Sequence, residues 1–210
     1  MGQAVGRLPN TWDHLLQEKD RVLYWSGEVI ARVADNVNEE LSFMIDYGEE
    51  TIDEKVASWI QRNRSRVNRT LNKYPNMELE YRTRVQIELA KIKEEFRFRM
   101  RRDYWQAYKD IREFTKKVDK LGKRQRKLHG KLHELETIYD GDIKQFQKKL
   151  GLLRLKTFQN LRTGETMMLK DKRLKTDFTK RVCEIDLKNL QDCFKCIDKL
   201  IKNIEDTMRD

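Results

Sequence analysis

The sequence predicts an all-α fold: an elongated antiparallel bundle of about three long helices, kinked at soft points and carrying coiled-coil heptads. Charged and apolar residues each make up 38% of the 210-residue chain, which contains only 2 prolines and 9 glycines. That balance is typical of long helices. Apolar residues also recur every three or four positions, and no stretch shows the strict alternation of a strand.

Three signals divide the chain into segments of similar length. Pro9 precedes the first periodic stretch, Pro75 interrupts the middle, and a turn signal lies at residues 140–142. Short breaks between long helices place successive helices antiparallel. The prediction is a flexible N-terminus and one elongated helical domain, at residues 1–10 and 11–210, with helical segments at about 11–73, 77–139 and 142–209.

Two glycines are soft points inside these segments. Gly48 follows a tyrosine in the first segment, and residues 51–54 after it resemble a capping box. The first segment is therefore either two helices or one kinked helix. Gly164 is the corresponding soft point of the third segment.

Heptad rows run through all three segments. The first contains Leu16, Leu23, Ile30, Val37 and Met44. The middle segment has two rows: Tyr104, Ile111, Val118, Leu132 and Tyr139, and beside them Ala107, Phe114, Leu121, Leu128 and Leu135. The third segment ends in Leu187, Leu190, Phe194, Ile197, Ile201, Ile204 and Met208. These rows predict coiled-coil seams that join the chain to a helical partner protein or to a second copy as a homodimer.

Residues 94–108, EEFRFRMRRDYWQAY, alternate arginines with aromatic rings. On a helix, Phe96, Met100 and Tyr104 share one side, whereas Phe98 and Trp105 lie nearly opposite. Either both rings are core residues between flanking helices, or they form a partner or dimer interface. Nucleic acid is a less favoured partner, because stacking platforms usually present their rings on one surface.

The densest basic tract lies in the middle segment, within a chain of formal net charge +10. Its eight cations are Lys116, Lys117, Lys120, Lys123, Arg124, Arg126, Lys127 and Lys131. Because Leu121 and Leu128 occupy the seam, most of these charges project outward. They form either a solvated helix face or a docking site for an acidic surface, which could be a protein or an anionic membrane.

The chain is also acidic at one end and basic at the other. Residues 1–60 contain 5 basic and 12 acidic side chains, against 40 basic and 23 acidic in residues 61–210. An acidic first segment can pack against basic later segments. We therefore expect part of the positive charge to be neutralised within the protein.

Residues with potential for chemistry are few. His129 and His133 have the spacing of a two-histidine metal site, but nearby lysines and the lack of an accompanying glutamate favour two exposed histidines. Cys193 and Cys196 have CxxC spacing without a second such pair. No phosphate-binding glycine loop or nucleophile elbow is present in the sequence. The prediction is a protein without enzymatic activity, cofactor or metal.

These observations predict a non-catalytic structural or adaptor protein. Its basic helix faces would dock on an acidic cytoskeletal assembly, such as a microtubule-based ciliary or centrosomal structure. No apolar run approaches the ~20 residues that span a bilayer, and we expect a cytoplasmic, cytoskeleton-associated protein.

A second hypothesis comes from helix length and layout. Three long, kinked helices in a basic chain of 210 residues resemble the architecture of BAR-type membrane-curvature modules. That resemblance implies a dimer that places basic residues on anionic lipid. The turn at residues 140–142 departs from this pattern, because it is acidic where such a module would be basic.

Overall fold

The computed structural model describes residues 2–29, 33, 35–138 and 142–209, and the side chains of residues 2–11, 136 and 138 lie outside that description. Within these limits the protein is all-α, as predicted, and contains no strand. The described residues form five α-helices and one short 3-10 helix: α1 (Gly2–Val29), α2 (Asn36–Asn72), α3 (Leu79–Ala107), α4 (Lys109–Glu134), the 3-10 helix Leu135–Ile138, and α5 (Ile143–Arg209).

The described residues form five α-helices, whereas the sequence predicts about three. The break near Pro75 is present between α2 and α3. There Arg82 donates hydrogen bonds to the carbonyl oxygens of Leu71, at 3.3 Å, and Tyr74, at 2.9 Å. Both carbonyl oxygens also accept backbone amides at 3.1 Å, Leu71 from Tyr74 and Tyr74 from Met77. The Arg82 side chain therefore ties the start of α3 to the turn that follows α2.

The break in the first segment does not lie where the soft point predicts. α1 ends at Val29, and α2 runs through Gly48 without interruption. Thr51 does not cap a new helix, because its hydroxyl donates to the carbonyl oxygen of Gly48, 2.9 Å away within α2. In the third segment α5 likewise continues through Gly164. A helix break at Gly48, one of the two predicted alternatives, is therefore wrong.

An unpredicted interruption separates α3 from α4 at Tyr108. The backbone there stays close to helical values, with φ −79° and ψ −7°, and the Tyr108 amide donates to Tyr104 O at 3.0 Å. Near the turn signal, residues 139–141 lie outside the described part of the chain. Asp142 begins the next element by accepting hydrogen bonds from the amides of Lys144 and Gln145, at 2.9 and 3.4 Å, as an N-cap does.

The helices belong to two compact units. Unit 1 comprises Met1–Ser42 and Asp110–Leu174, and unit 2 comprises Phe43–Lys109 and Lys175–Asp210. α2 and α5 each contribute residues to both units. The single elongated domain over residues 11–210, with a flexible segment before it, stays a prediction.

Unit 1 contains α1, α4 and the first half of α5. Trp12 contacts Phe146 and Trp25 contacts Phe158, so residue numbers rise together along α1 and α5. Gln125 accepts a hydrogen bond from Asn160 at 2.6 Å, whereas Leu135 of the 3-10 helix shares a core cluster with Phe146. α4 is therefore antiparallel to α5. The buried members of this cluster are Leu15, Val22, Leu128, Leu132, Leu135, Phe146, Leu150 and Leu153.

Unit 2 repeats this order of directions with α2, α3 and the second half of α5. Lys55 pairs with Asp186 at 2.8 Å and Arg66 with Asp198 at 2.6 Å, so α2 and α5 run the same way. Contacts between α3 and α5 run in the opposite sense: Arg99 pairs with Asp192 at 2.8 Å and Tyr104 with Asp186 at 2.5 Å.

The heptad rows predict buried positions unevenly. Every described member of the two middle rows is buried, from Tyr104 to Leu135. In α1 the buried apolar residues include Leu15 and Val22, each one position before the predicted Leu16 and Leu23. In the third row Ile197 and Ile204 are buried, whereas Leu187 is exposed. The coiled-coil role of these rows stays a prediction.

Candidate docking surface

The eight predicted docking cations lie along α4 and all are exposed. The opposite side of this helix is apolar and buried in unit 1, through Ile111, Phe114, Val118, Leu121, Leu128 and Leu132. With 100° between successive residues, Lys116, Lys120, Lys123, Lys127 and Lys131 follow one line along the exposed side. That line is about 22 Å long at 1.5 Å per residue. The structure therefore places these charges on one surface, which we call the basic face.

None of the eight cations forms a salt bridge with any residue that the structure describes. The acidic residue within the tract, Asp119, accepts a hydrogen bond from Asn38 of α2. Its carboxylate is therefore engaged with another helix of unit 1. The positive charge of the basic face is available to an external anionic surface.

A groove between α4 and the first half of α5 borders the basic face. One cavity of about 470 Å³ is lined by Lys131, Glu134, Leu135, Thr137, Lys149, Leu152, Leu153 and Lys156. A second, of about 300 Å³, is lined by Arg124, Lys127, Leu128, Lys131, Lys156, Gln159 and Asn160. The groove thus combines a basic rim with exposed and buried leucine side chains.

Three residues of this groove were not predicted from the sequence. Lys149 and Lys156 are exposed on α5 and extend the positive surface beyond α4, and Leu152 between them is 54% exposed. The signal that could have identified them is their spacing. Residues 149 and 156 are seven apart, as expected for one face of a helix that runs beside the basic face.

The arginines of residues 94–108 have a different environment. Each of the four forms a salt bridge within unit 2: Arg97 and Arg101 with Asp53, Arg99 with Asp192, and Arg102 with Asp103. The bond from Arg97 is bidentate, at 2.9 and 3.1 Å, and it is the main cause of a lowered pKa at Asp53. Asp53 belongs to the acidic first segment, so the expected neutralisation by that segment is present for Arg97 and Arg101. The carboxylates that pair with the other two arginines belong to later segments.

The two rings proposed as a partner interface point away from the core of unit 2. Phe98 is 68% exposed and Trp105 is 60% exposed. Phe96 and Met100, each two residues from Phe98, are fully buried. The alternative that both rings are core residues is therefore wrong. Ile87, 50% exposed, lies on the same side of α3 by helical spacing. The role of Phe98 and Trp105 as a partner interface stays a prediction.

The sequence predicts that both histidines of α4 are exposed, but in the structure only His133 is exposed. His129 is half-buried, and its Nδ1 lies 2.6 Å from Oγ of Ser26 on α1. Burial, and next the neighbouring His133, lower the pKa of His129. The neutral imidazole is therefore favoured at neutral pH.

The CxxC cysteines lie in the second half of α5. Burial raises the pKa of Cys193 to about 12, and it also raises the pKa of Cys196. A thiol held in its protonated form is a poor nucleophile and a poor metal ligand. Within the described residues, no group of three or more histidine, cysteine or acidic side chains is placed to hold a metal ion.

Comparisons of the chain with known protein families, with curated proteins and with solved structures found no match. Within the described residues, no helix is both long enough and apolar enough to cross a membrane.

Proposed function

We propose that the protein is a non-catalytic helical adaptor that docks on the acidic surface of a cytoskeletal assembly, such as the outside of a microtubule. Docking takes place through the basic face of α4 and the cations that border its groove. The observation that carries the proposal is the row of exposed cations that lacks carboxylate partners among the described residues.

The contrast between α3 and α4 supports this assignment. In α3 the arginines from Arg97 to Arg102 are paired with carboxylates of unit 2. In α4 the cations from Lys116 to Lys131 have no such pairs among the described residues, although both helices contain several acidic side chains. Unpaired like charges repel one another, so this face stabilises the folded chain less than a mixed face would. A binding role for these cations would explain why the protein keeps a face that stabilises its fold less.

The groove favours a protein surface over a lipid surface. Lys131, Lys156 and the exposed Leu152 line the same cavity. An acidic helix can place carboxylates on the lysines and one apolar side chain against the leucine, in the manner of helix-in-groove recognition. Glu134, at the same groove, fits a protein partner that carries both signs of charge better than it fits a uniformly anionic membrane.

Association through helical seams is a further part of the proposal. The elongated arrangement of about three long helices, with coiled-coil contacts to a partner or to a second copy, follows from the heptad rows. Phe98 and Trp105 are the residues that we assign to this contact, because large exposed aromatic rings are enriched at protein interfaces. The protein would then have two separate surfaces, one basic and one aromatic.

Cosedimentation with polymerised microtubules tests the docking proposal. The test variant replaces Lys123, Arg124, Arg126 and Lys127 by Glu. The matched control makes the same change in net charge at four exposed cations in α2 and in the turn directly after it: Arg62, Arg64, Arg69 and Lys73. We expect the test variant to lose binding by about tenfold or more, and the control to lose much less, because local contacts rather than net charge hold the complex.

Two outcomes would overturn the proposal. Equal losses in the test and control variants would mean that binding depends on net charge alone. Binding to acidic phosphatidylserine vesicles, lost in the test variant and not matched by binding to microtubules, would favour the BAR-like membrane module. Circular dichroism at 222 nm checks that both variants keep their helices. All eight changes lie at exposed positions, seven of them within helices and Lys73 in the turn after α2.

A further inference from the structure

Two histidines of α4 lie side by side in unit 1, next to a buried serine of α1. His129 and His133 are four residues apart, and their Nε2 atoms are 3.3 Å from each other. Ser26 is fully buried, and its Oγ is 2.6 Å from Nδ1 of His129. One imidazole is thus held against a neighbouring helix, and the other lies exposed beside it.

The hydrogen bonds of Ser26 determine which nitrogen of His129 carries the proton. Ser26 Oγ lies 2.9 Å from the carbonyl oxygen of Leu23, which can only accept a hydrogen bond. The hydroxyl proton is donated to Leu23, so Ser26 Oγ accepts from the Nδ1–H of His129. A neutral imidazole protonated at Nδ1 has its lone pair on Nε2. That nitrogen is the one next to His133.

We propose that His129 and His133 form a binding site for a divalent transition metal of the zinc, copper and nickel group. Imidazole nitrogens bind zinc at about 2.0–2.1 Å and also suit copper and nickel. For two nitrogens 3.3 Å apart, bonds of that length meet at an angle of about 107°, close to the tetrahedral geometry of zinc sites. The two rings therefore have the separation that a shared metal ion requires.

Ser26 has the role of an orienting partner in this site. Metal-binding histidines usually donate their second ring N–H to a neighbouring acceptor, which fixes the ring and makes the ligating nitrogen more basic. Ser26 supplies that acceptor from a different helix, at 2.6 Å and in a fully buried position. His133, being exposed, can carry its own proton on Nδ1 in contact with water.

The cations of α4 are distributed unevenly around the site. Lys127 and Lys131 are each two residues from His129, which places them about 160° away around the helix. Arg126 lies three residues before His129 and about 60° from it, so its charge opposes a bound cation. With no group of three ligands in the described part of the chain, water completes the coordination. Binding is therefore weaker than at a four-ligand structural site.

Titration of the full chain with ZnCl2 in a non-chelating buffer, followed by isothermal titration calorimetry, tests the site. His133→Ala removes one ligand from an exposed position. His14→Ala is the matched control, because His14 is the third histidine of the chain and is exposed on α1. We expect His133→Ala to weaken zinc binding by more than about tenfold and Ser26→Ala to weaken it about tenfold. His14→Ala should leave it unchanged, and Arg126→Gln should strengthen it.

Electron paramagnetic resonance with one equivalent of Cu²⁺ gives a readout independent of affinity. The wild-type protein should show two coordinating imidazole nitrogens, and His133→Ala should show one. The proposal is overturned if the wild-type chain binds no zinc, or if His133→Ala binds zinc as tightly as the wild-type chain. The second result would place the ion at a different site.

Discussion

The phenolic oxygen of Tyr104 lies 2.5 Å from Oδ1 of Asp186, which joins α3 to the second half of α5 within unit 2. Lys55 of α2 completes this cluster, since its Nζ is 2.8 Å from both Tyr104 Oη and Asp186 Oδ2. Three helices therefore meet at one polar contact. Burial, and next the hydrogen bond to Asp186, raise the pKa of Tyr104, so its phenol stays protonated and donates to the carboxylate.

Tyr104→Phe should destabilise the protein by about 1–3 kcal/mol, because the Asp186 carboxylate loses a donor in a partly buried position. The measurement is urea unfolding followed by circular dichroism. Tyr47→Phe is the control, since Tyr47 belongs to unit 2 and is 61% exposed. Equal free energies of unfolding for Tyr104→Phe and Tyr47→Phe would contradict the assigned role of the phenol.

The Tyr104 cluster shows which features of the fold could be predicted from the sequence and which could not. Helical spacing identifies Tyr104 as a core residue, which the structure confirms. Its partners could not be predicted, because Lys55 and Asp186 are 131 residues apart and periodicity carries no information on which helices meet. The same limit applies to Ser26 and His129, which are 103 residues apart. Periodicity predicts which side of a helix is buried, whereas pairing depends on tertiary contacts.

Gly48 shows a different limit. Glycine lowers helix stability, so its position inside a periodic segment predicts a break. In the structure the reason for glycine is space: a Cβ at residue 48 would lie 2.0 Å from Oη of Tyr108. Tyr108 is itself fully buried, and its ring stacks on Phe178. α2 therefore continues through Gly48, and tertiary packing outweighs helix propensity.

We predict that Gly48→Ala destabilises the protein, although the same change in an open helix stabilises it by about 0.5–1 kcal/mol. The matched control is Gly130→Ala in α4, where nothing lies within 4 Å of an added Cβ. The two changes should shift the urea midpoint in opposite directions. An increase in stability for both would show that Tyr108 moves aside without cost.

Tyr108→Phe should partly rescue Gly48→Ala, because it removes the oxygen atom that lies nearest to the added methyl group. The rescue should be incomplete, since Cζ of the ring would remain 3.4 Å from the new Cβ. A double-mutant cycle on the free energy of unfolding measures the coupling, which we expect to be about 0.5–3 kcal/mol for residues in contact. Additive effects would contradict a direct clash between residues 48 and 108.

The three cysteines should differ in their reaction with iodoacetamide at pH 8. The thiolate is the reactive form, and burial raises the pKa of Cys193 to about 12. Cys183 is exposed and should be alkylated first, with Cys193 last in the folded protein. Mass spectrometry of tryptic peptides at increasing times gives the three rates. In concentrated urea the rates should converge, and equal rates for Cys183 and Cys193 without urea would contradict the burial of Cys193.

The double variant Phe98→Ser and Trp105→Ser should keep the stability of the wild-type chain to within about 0.5–1 kcal/mol, because both rings lie largely outside the core and surface changes have small effects. Phe96→Ser is the control in the same helix. Phe96 is fully buried, and its loss should cost about 3 kcal/mol or more. Thermal unfolding by circular dichroism separates the two results.

Analytical ultracentrifugation of the double variant then tests association. A wild-type dimer that becomes monomeric supports an interface at Phe98 and Trp105, whereas an unchanged dimer would exclude these rings from it.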